Sequence, residues 1–176
     1  MTCALRTGRA RRRRKGPNLG RGARGKLKDI VSISERPAEA ADRAVPGHWE
    51  GDLILGRGGK SQIATIVERT TRFTLLVPPP IDRKAHTVRD AIASRIVELP
   101  KQIRRSLKWD QGKEMAGHAE FKVAAGVAAY FSDPHKTWQR GTNENTNRLL
   151  HQYLPRSRDL DTVTDCELNQ IAAELY

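Results

Sequence analysis

The sequence predicts an α/β fold, a mixed sheet flanked by helices, with a disordered basic N-terminal arm in front of it. Three observations carry that expectation. Short strand-like runs come first and then alternate with helical periodicity, in the order βββαβαβαα. The 176 residues include 38% hydrophobic side chains, enough for one core. The net charge of +12 is also unevenly placed: residues 1–28 hold eleven Lys and Arg and no acid, so the remainder carries 21 bases against 20 acids.

The arm, residues 1–28, contains the run Arg11, Arg12, Arg13, Arg14 and Lys15 among glycines. Such a composition repels itself and cannot collapse, so the arm is expected to stay open until it meets a polyanion. A solubilising tail is the plainer alternative. Residues 29–46 read as a linker in which Pro37 and Pro46 bracket an Ala/Glu-rich piece, with little regular structure expected. Residues 47–176 read as the core.

Within the core, His48 to Leu55 is a first strand, and Gly56-Arg57-Gly58-Gly59 turns the chain into a second at Gln62 to Val67. A third, Arg72 to Val77, stops at Pro78-Pro79-Pro80 and completes an antiparallel meander. Val88, Ala91, Ile92, Arg95, Ile96 and Leu99 then recur at helical spacing. Thr87 and Asp90 stand as a capping box, and Pro100 ends the run. Ser106 to Trp109 is a strand, Ala119 to Ala125 a short helix ended by Gly126, and Val127 to Phe131 a further strand. A helix runs through Leu149, Leu150 and Tyr153 to Pro155, and a last one uses Leu168, Ile171, Ala172 and Leu175.

Several function classes drop out. No apolar run reaches the roughly 20 residues of a membrane span, and the Arg-rich start is unlike a signal peptide, so a soluble cytoplasmic protein is expected. Cys3 and Cys166 make neither a disulfide framework nor a zinc site, and the five histidines lack ligand spacing. Any metal must therefore be held by oxygen. Gly59-Lys60-Ser61 ends like a phosphate loop, but the first glycine of that motif would fall at Ile54, and the run leads into a strand where a helix is needed.

Three carboxylates sit where carboxylates are otherwise hard to explain. Asp52 lies inside the first strand, Asp110 ends the strand from Ser106, and Glu144 opens a helix. Taken singly, each reads more readily as a solvated edge acid or a helix-start acid facing the macrodipole than as a catalytic group. Together, two adjacent central strands and a helix packed over them can bring three carboxylates to one point, an arrangement suited to Mg²⁺. Glu50, Glu114 and Glu120 are nearby competitors; Glu50 could share the face of Asp52 in a regular strand.

The stretches Val45 to Ile54, Trp109 to Ala116 and Asp133 to Asn147 resemble the catalytic core of the insertion-sequence-thirty family of bacterial DDE transposases, and the 33 residues between Asp110 and Glu144 suit that family. The resemblance runs from about Val31 to the C-terminus. It implies a ribonuclease-H-like fold, two Mg²⁺ ions with Mn²⁺ as an alternative, and cleavage and joining of DNA at transposon ends. Asp52, Asp110 and Glu144 fall on its three catalytic, metal-holding positions. The family's helix-turn-helix precedes the point where this chain begins, and its chains continue past Tyr176, so the resemblance implies a truncated copy that binds DNA with little sequence preference.

The loop leading into the Glu144 helix is the expected DNA-facing element. Trp138 can stack on a base, Arg140 can reach phosphate, and Asn143, Asn145 and Asn147 offer amides around Glu144. Trp138 equally reads as a lid on the core, and the asparagines as turn and cap residues. The sequence thus supports a metal-dependent polynucleotidyl transferase acting on DNA, with a homo-oligomer as the further expected partner. Its rival is a non-catalytic nucleic-acid-binding protein that uses the arm. Both predict salt-sensitive DNA affinity. Dependence on metal and on the three carboxylates separates them.

Overall fold

A five-stranded mixed sheet in the order β3-β2-β1-β4-β5 organises the chain. The computed structural model describes residues 30–78, 84–110, 115, 117–133 and 141–175. The arm with Arg11 to Lys15, the loop residues Trp138 and Arg140, and Glu114 lie outside the described residues. β1 (His48–Leu55), β2 (Gln62–Glu68) and β3 (Thr74–Val77) form the expected antiparallel meander. β4 (Ser106–Trp109) and β5 (Ala128–Phe131) run parallel to β1 and to each other, as strands reached through helical crossovers must. The helices are α1 (Glu39–Asp42), α2 (Ala85–Val97), α3 (His118–Ala125), α4 (Gly141–Tyr153) and α5 (Asp165–Glu174). No helix among the described residues is long and apolar enough to cross a membrane.

The alternation of β1 sorts its side chains onto two faces. Trp49 joins Leu107, Trp109 and Phe131 under Ile92 and Ile96 of α2 and Phe121 of α3. Ile54 joins Ile63 and Leu76 under Leu150 of α4 and Leu168 and Ile171 of α5. Gly51 is a packing requirement: a Cβ there would stand 2.2 Å from the Trp109 ring, and Trp109 is its partner on β4. Gly51→Ala is expected to cost about 3 kcal/mol, because the ring is fully enclosed and cannot step aside. Urea unfolding with an unchanged m-value checks it, and a destabilisation below about 0.5 kcal/mol would mean that the ring has room.

Two local expectations change. α2 begins at Ala85 after Lys84, which makes no side-chain cap, so Thr87 and Asp90 fall inside the helix and no capping box forms at its start. Residues 30–45 are not a loose linker. Ile33–Glu35 forms a 3₁₀ turn capped by Ser32, α1 follows, and Ser32 bridges to Phe131 on the β5 edge. Arg36 donates to Ser106 Oγ (2.9 Å) and to the Trp49 carbonyl (3.2 Å), while Glu39 meets Arg105 (3.0 Å) and His48 (3.4 Å). This segment is held by polar groups, which leave no hydrophobic period to read.

Candidate active site

The parallel register of β1 and β4 places Gly51 beside Trp109, so the next residues, Asp52 and Asp110, occupy the same step of adjacent strands. Neighbouring strands run about 4.8 Å apart. Both residues are half-buried. α4 lies over β1 and β2. Its inward stripe is Thr142, Asn143, Thr146 and Leu150, so Glu144, Asn147, Arg148 and His151 come out along one side at i, i+3, i+4 and i+7. They border a cleft of about 720 Å³ together with Asp52 and Arg156.

The carboxylate of Asp52 is held in place. Oδ1 accepts the Leu53 N–H (2.9 Å) and Oδ2 accepts from Asn147 Nδ2 (2.9 Å). Asn147 Oδ1 in turn accepts from the Thr65 hydroxyl of β2 (3.0 Å), which fixes the amide's orientation. Asn147, expected to contact DNA, is thus engaged with a catalytic candidate. Asn143, expected in the same interface, is only 3% exposed, which puts it inside the protein rather than on its surface. Glu144 is exposed on the first turn of α4.

Glu50 is no longer a competitor. Its carboxylate is buried, with Oε1 3.1 Å from Arg69 Nε and Oε2 3.1 Å from Lys108 Nζ. Glu120 pairs with Arg89 on the far side of the sheet. The cleft also contains cations that residue type alone does not single out. Arg148 is exposed, and Arg156 donates to Nε2 of His151, whose Nδ1–H reaches the Leu154 carbonyl (3.1 Å). Their signal in the sequence is the helical spacing from Glu144, which points Arg148 and His151 into the same cleft.

Among the described residues no group of three or more His, Cys, Asp or Glu side chains converges as a metal cage. The three carboxylates expected to meet at one point, Asp52, Asp110 and Glu144, are thus not gathered into such a group in this structure. Their oxygen-only donors suit a hard cation such as Mg²⁺ and would not suit a thiolate- or imidazole-seeking one.

The integrase core domain family matches residues 42–137, a range that includes Asp52 and Asp110 and ends before Glu144. The transposase for insertion sequence element IS1086 of Cupriavidus metallidurans is 48% identical over 166 residues, covering 94% of this chain and 49% of that protein. Transposase InsI for insertion sequence element IS30A of Escherichia coli is 43% identical over 157 residues, covering 88% and 40%. The chain therefore spans half or less of the length of these curated relatives. The catalytic core domain of BIV integrase shares the fold, with a TM-score of 0.52 at 17% identity over 73% of this chain and 82% of that one. The mixed five-stranded sheet, the family match and the insertion-sequence relatives agree: the chain belongs to the integrase core domain family.

Proposed function

We propose that this chain is the catalytic core of a transposase, a polynucleotidyl transferase that cleaves DNA strands at insertion-sequence ends and joins them to target DNA. The observation that supports the reading is the β1–β4 register, which ends at Gly51 and Trp109, one residue before Asp52 and Asp110, together with the cleft that Asp52 and Glu144 both border. In this reading the three carboxylates hold Mg²⁺, or Mn²⁺ in its place. When bound, the metal activates an oxygen nucleophile and stabilises the leaving 3′ oxygen. Asn147 keeps the Asp52 carboxylate turned toward its task through the 2.9 Å hydrogen bond. Arg148 and Arg156 draw the DNA backbone to the cleft. DNA as substrate, a homo-oligomeric assembly and a cytoplasmic location belong to the same reading.

Incubation of the purified chain with duplex DNA carrying an element end, with Mg²⁺, Mn²⁺ or chelator, tests it. Metal-dependent strand cleavage is the expected result; binding with no cleavage under any metal would favour the non-catalytic reading. The arm is tested separately. Deleting residues 1–28 is expected to leave thermal unfolding unchanged and to flatten the plot of log affinity against log salt by about 0.9 for each phosphate that the arm had neutralised. An unchanged slope would remove Arg11 to Lys15 from the interface.

A further inference from the structure

A second cavity, of about 410 Å³, opens beside the start of α4 and holds more positive than negative charge. Arg36, Arg43, Arg69 and Glu50 line it, with Gly141 and Thr142 of α4. Arg36 is 9% exposed; its Nε and Nη2 are taken by Ser106 and Trp49, and its buried Nη1 has no hydrogen-bond partner. Arg69 and Lys108 share the single carboxylate of Glu50. Buried Arg36 and Lys108 and half-buried Arg69 thus face the buried carboxylates of Glu50 and Glu68, and Arg43 adds a further cation at the exposed edge. Glu68 also attracts Arg36 and Arg69 while accepting the N–H groups of Gly47, Thr70 and Thr71, and Glu39 is engaged with Arg105 and His48.

The cations feel one another. Burial first, then the charge of Arg69, pulls the Arg36 guanidinium down to about 10. Uncompensated buried charge is costly, and an anion drawn from solution offsets it. The first turn of α4 points the same way, since the helix macrodipole favours negative charge there. A tetrahedral oxyanion matches the forked donors of the arginines.

We infer that this cavity is a phosphate-binding site, filled by a phosphodiester of bound DNA or by free phosphate. Only the first source rests on the proposed function. Glu144 lies within one turn of Thr142, so a DNA phosphate seated here would fix the strand about 3 Å along α4 from the cleft acid.

The test uses the full chain without metal, so it stands whether or not the chain cleaves DNA. Thermal unfolding is followed in sodium phosphate and in sodium chloride at matched ionic strength. Phosphate at a hundred times its Kd should raise the ratio of folded to unfolded chain about a hundredfold over chloride. Arg36→Gln should remove that gain; Arg43→Gln, at an exposed position that makes the folded state safe, should weaken phosphate roughly tenfold. If Arg43→Gln also lowers duplex affinity and reduces the salt slope by about 0.9, the phosphate comes from DNA. Abolition of the phosphate effect with unchanged DNA binding assigns the site to free phosphate. Equal gains in phosphate and chloride, or a full phosphate gain in Arg43→Gln, would overturn the inference.

Discussion

Asp110→Asn is expected to lower metal-dependent strand cleavage by about three orders of magnitude, about 4 kcal/mol of transition-state stabilisation, with folding and DNA binding unchanged. The amide keeps the shape of the carboxyl group and loses its charge, so a hard cation loses a ligand while the half-buried end of β4 keeps its packing. Asn147→Ala provides the contrast. Asn147 acts through Asp52, so its removal should reduce cleavage only about tenfold and raise the Mg²⁺ concentration needed for half-maximal rate, with excess Mn²⁺ restoring part of the activity. A damaged fold would show no such rescue. Cleavage by Asp110→Asn within tenfold of the parent would remove Asp110 from the metal site and with it the catalytic reading.

The strands and the acidic pair are legible in the sequence because both rest on local signals. β1 alternates between faces and is bounded by Gly47 and Gly56, and an Asp inside such a run needs a reason. The end of β4 at Trp109 is equally plain from Asp110-Gln111-Gly112. What local pattern cannot give is the partner of each polar group. Lys108 in the strand from Ser106 to Trp109 is 2% exposed, because Glu50 from the neighbouring strand reaches it. Arg36 and Glu39 read as linker charges, and they are the ties that hold residues 30–45 to the sheet. Asn147 reads by residue type as a DNA contact; its i+3 spacing from Glu144 is the better clue, since it brings the amide over Asp52.

Glu50→Gln should be the most destabilising single change in the described core, costing about 3–5 kcal/mol, because it removes the anion shared by Arg69 and Lys108 and leaves the buried Lys108 and the half-buried Arg69 without it. For a chain of this size that is a fall of roughly 10 °C in Tm. The amide preserves volume, so the effect reports charge and not packing. Adding Lys108→Met removes one cation while keeping an unbranched side chain, and the double variant should recover about half of the deficit. The deficit should also shrink as pH rises. Lys108 is held below its usual 10.5 chiefly by burial, so in alkaline solution the folded chain gives up that proton before the unfolded chain does. The unfolded state then binds more protons, and stability rises with pH across that window. Losing Glu50 removes the pull that opposes this shift, so the window opens at lower pH in the variant than in the parent. Urea unfolding of the parent, single and double variants at neutral and alkaline pH measures all three effects. A Glu50→Gln cost below about 1 kcal/mol that is independent of Lys108 would mean that water screens these charges and that they are not coupled in the folded protein.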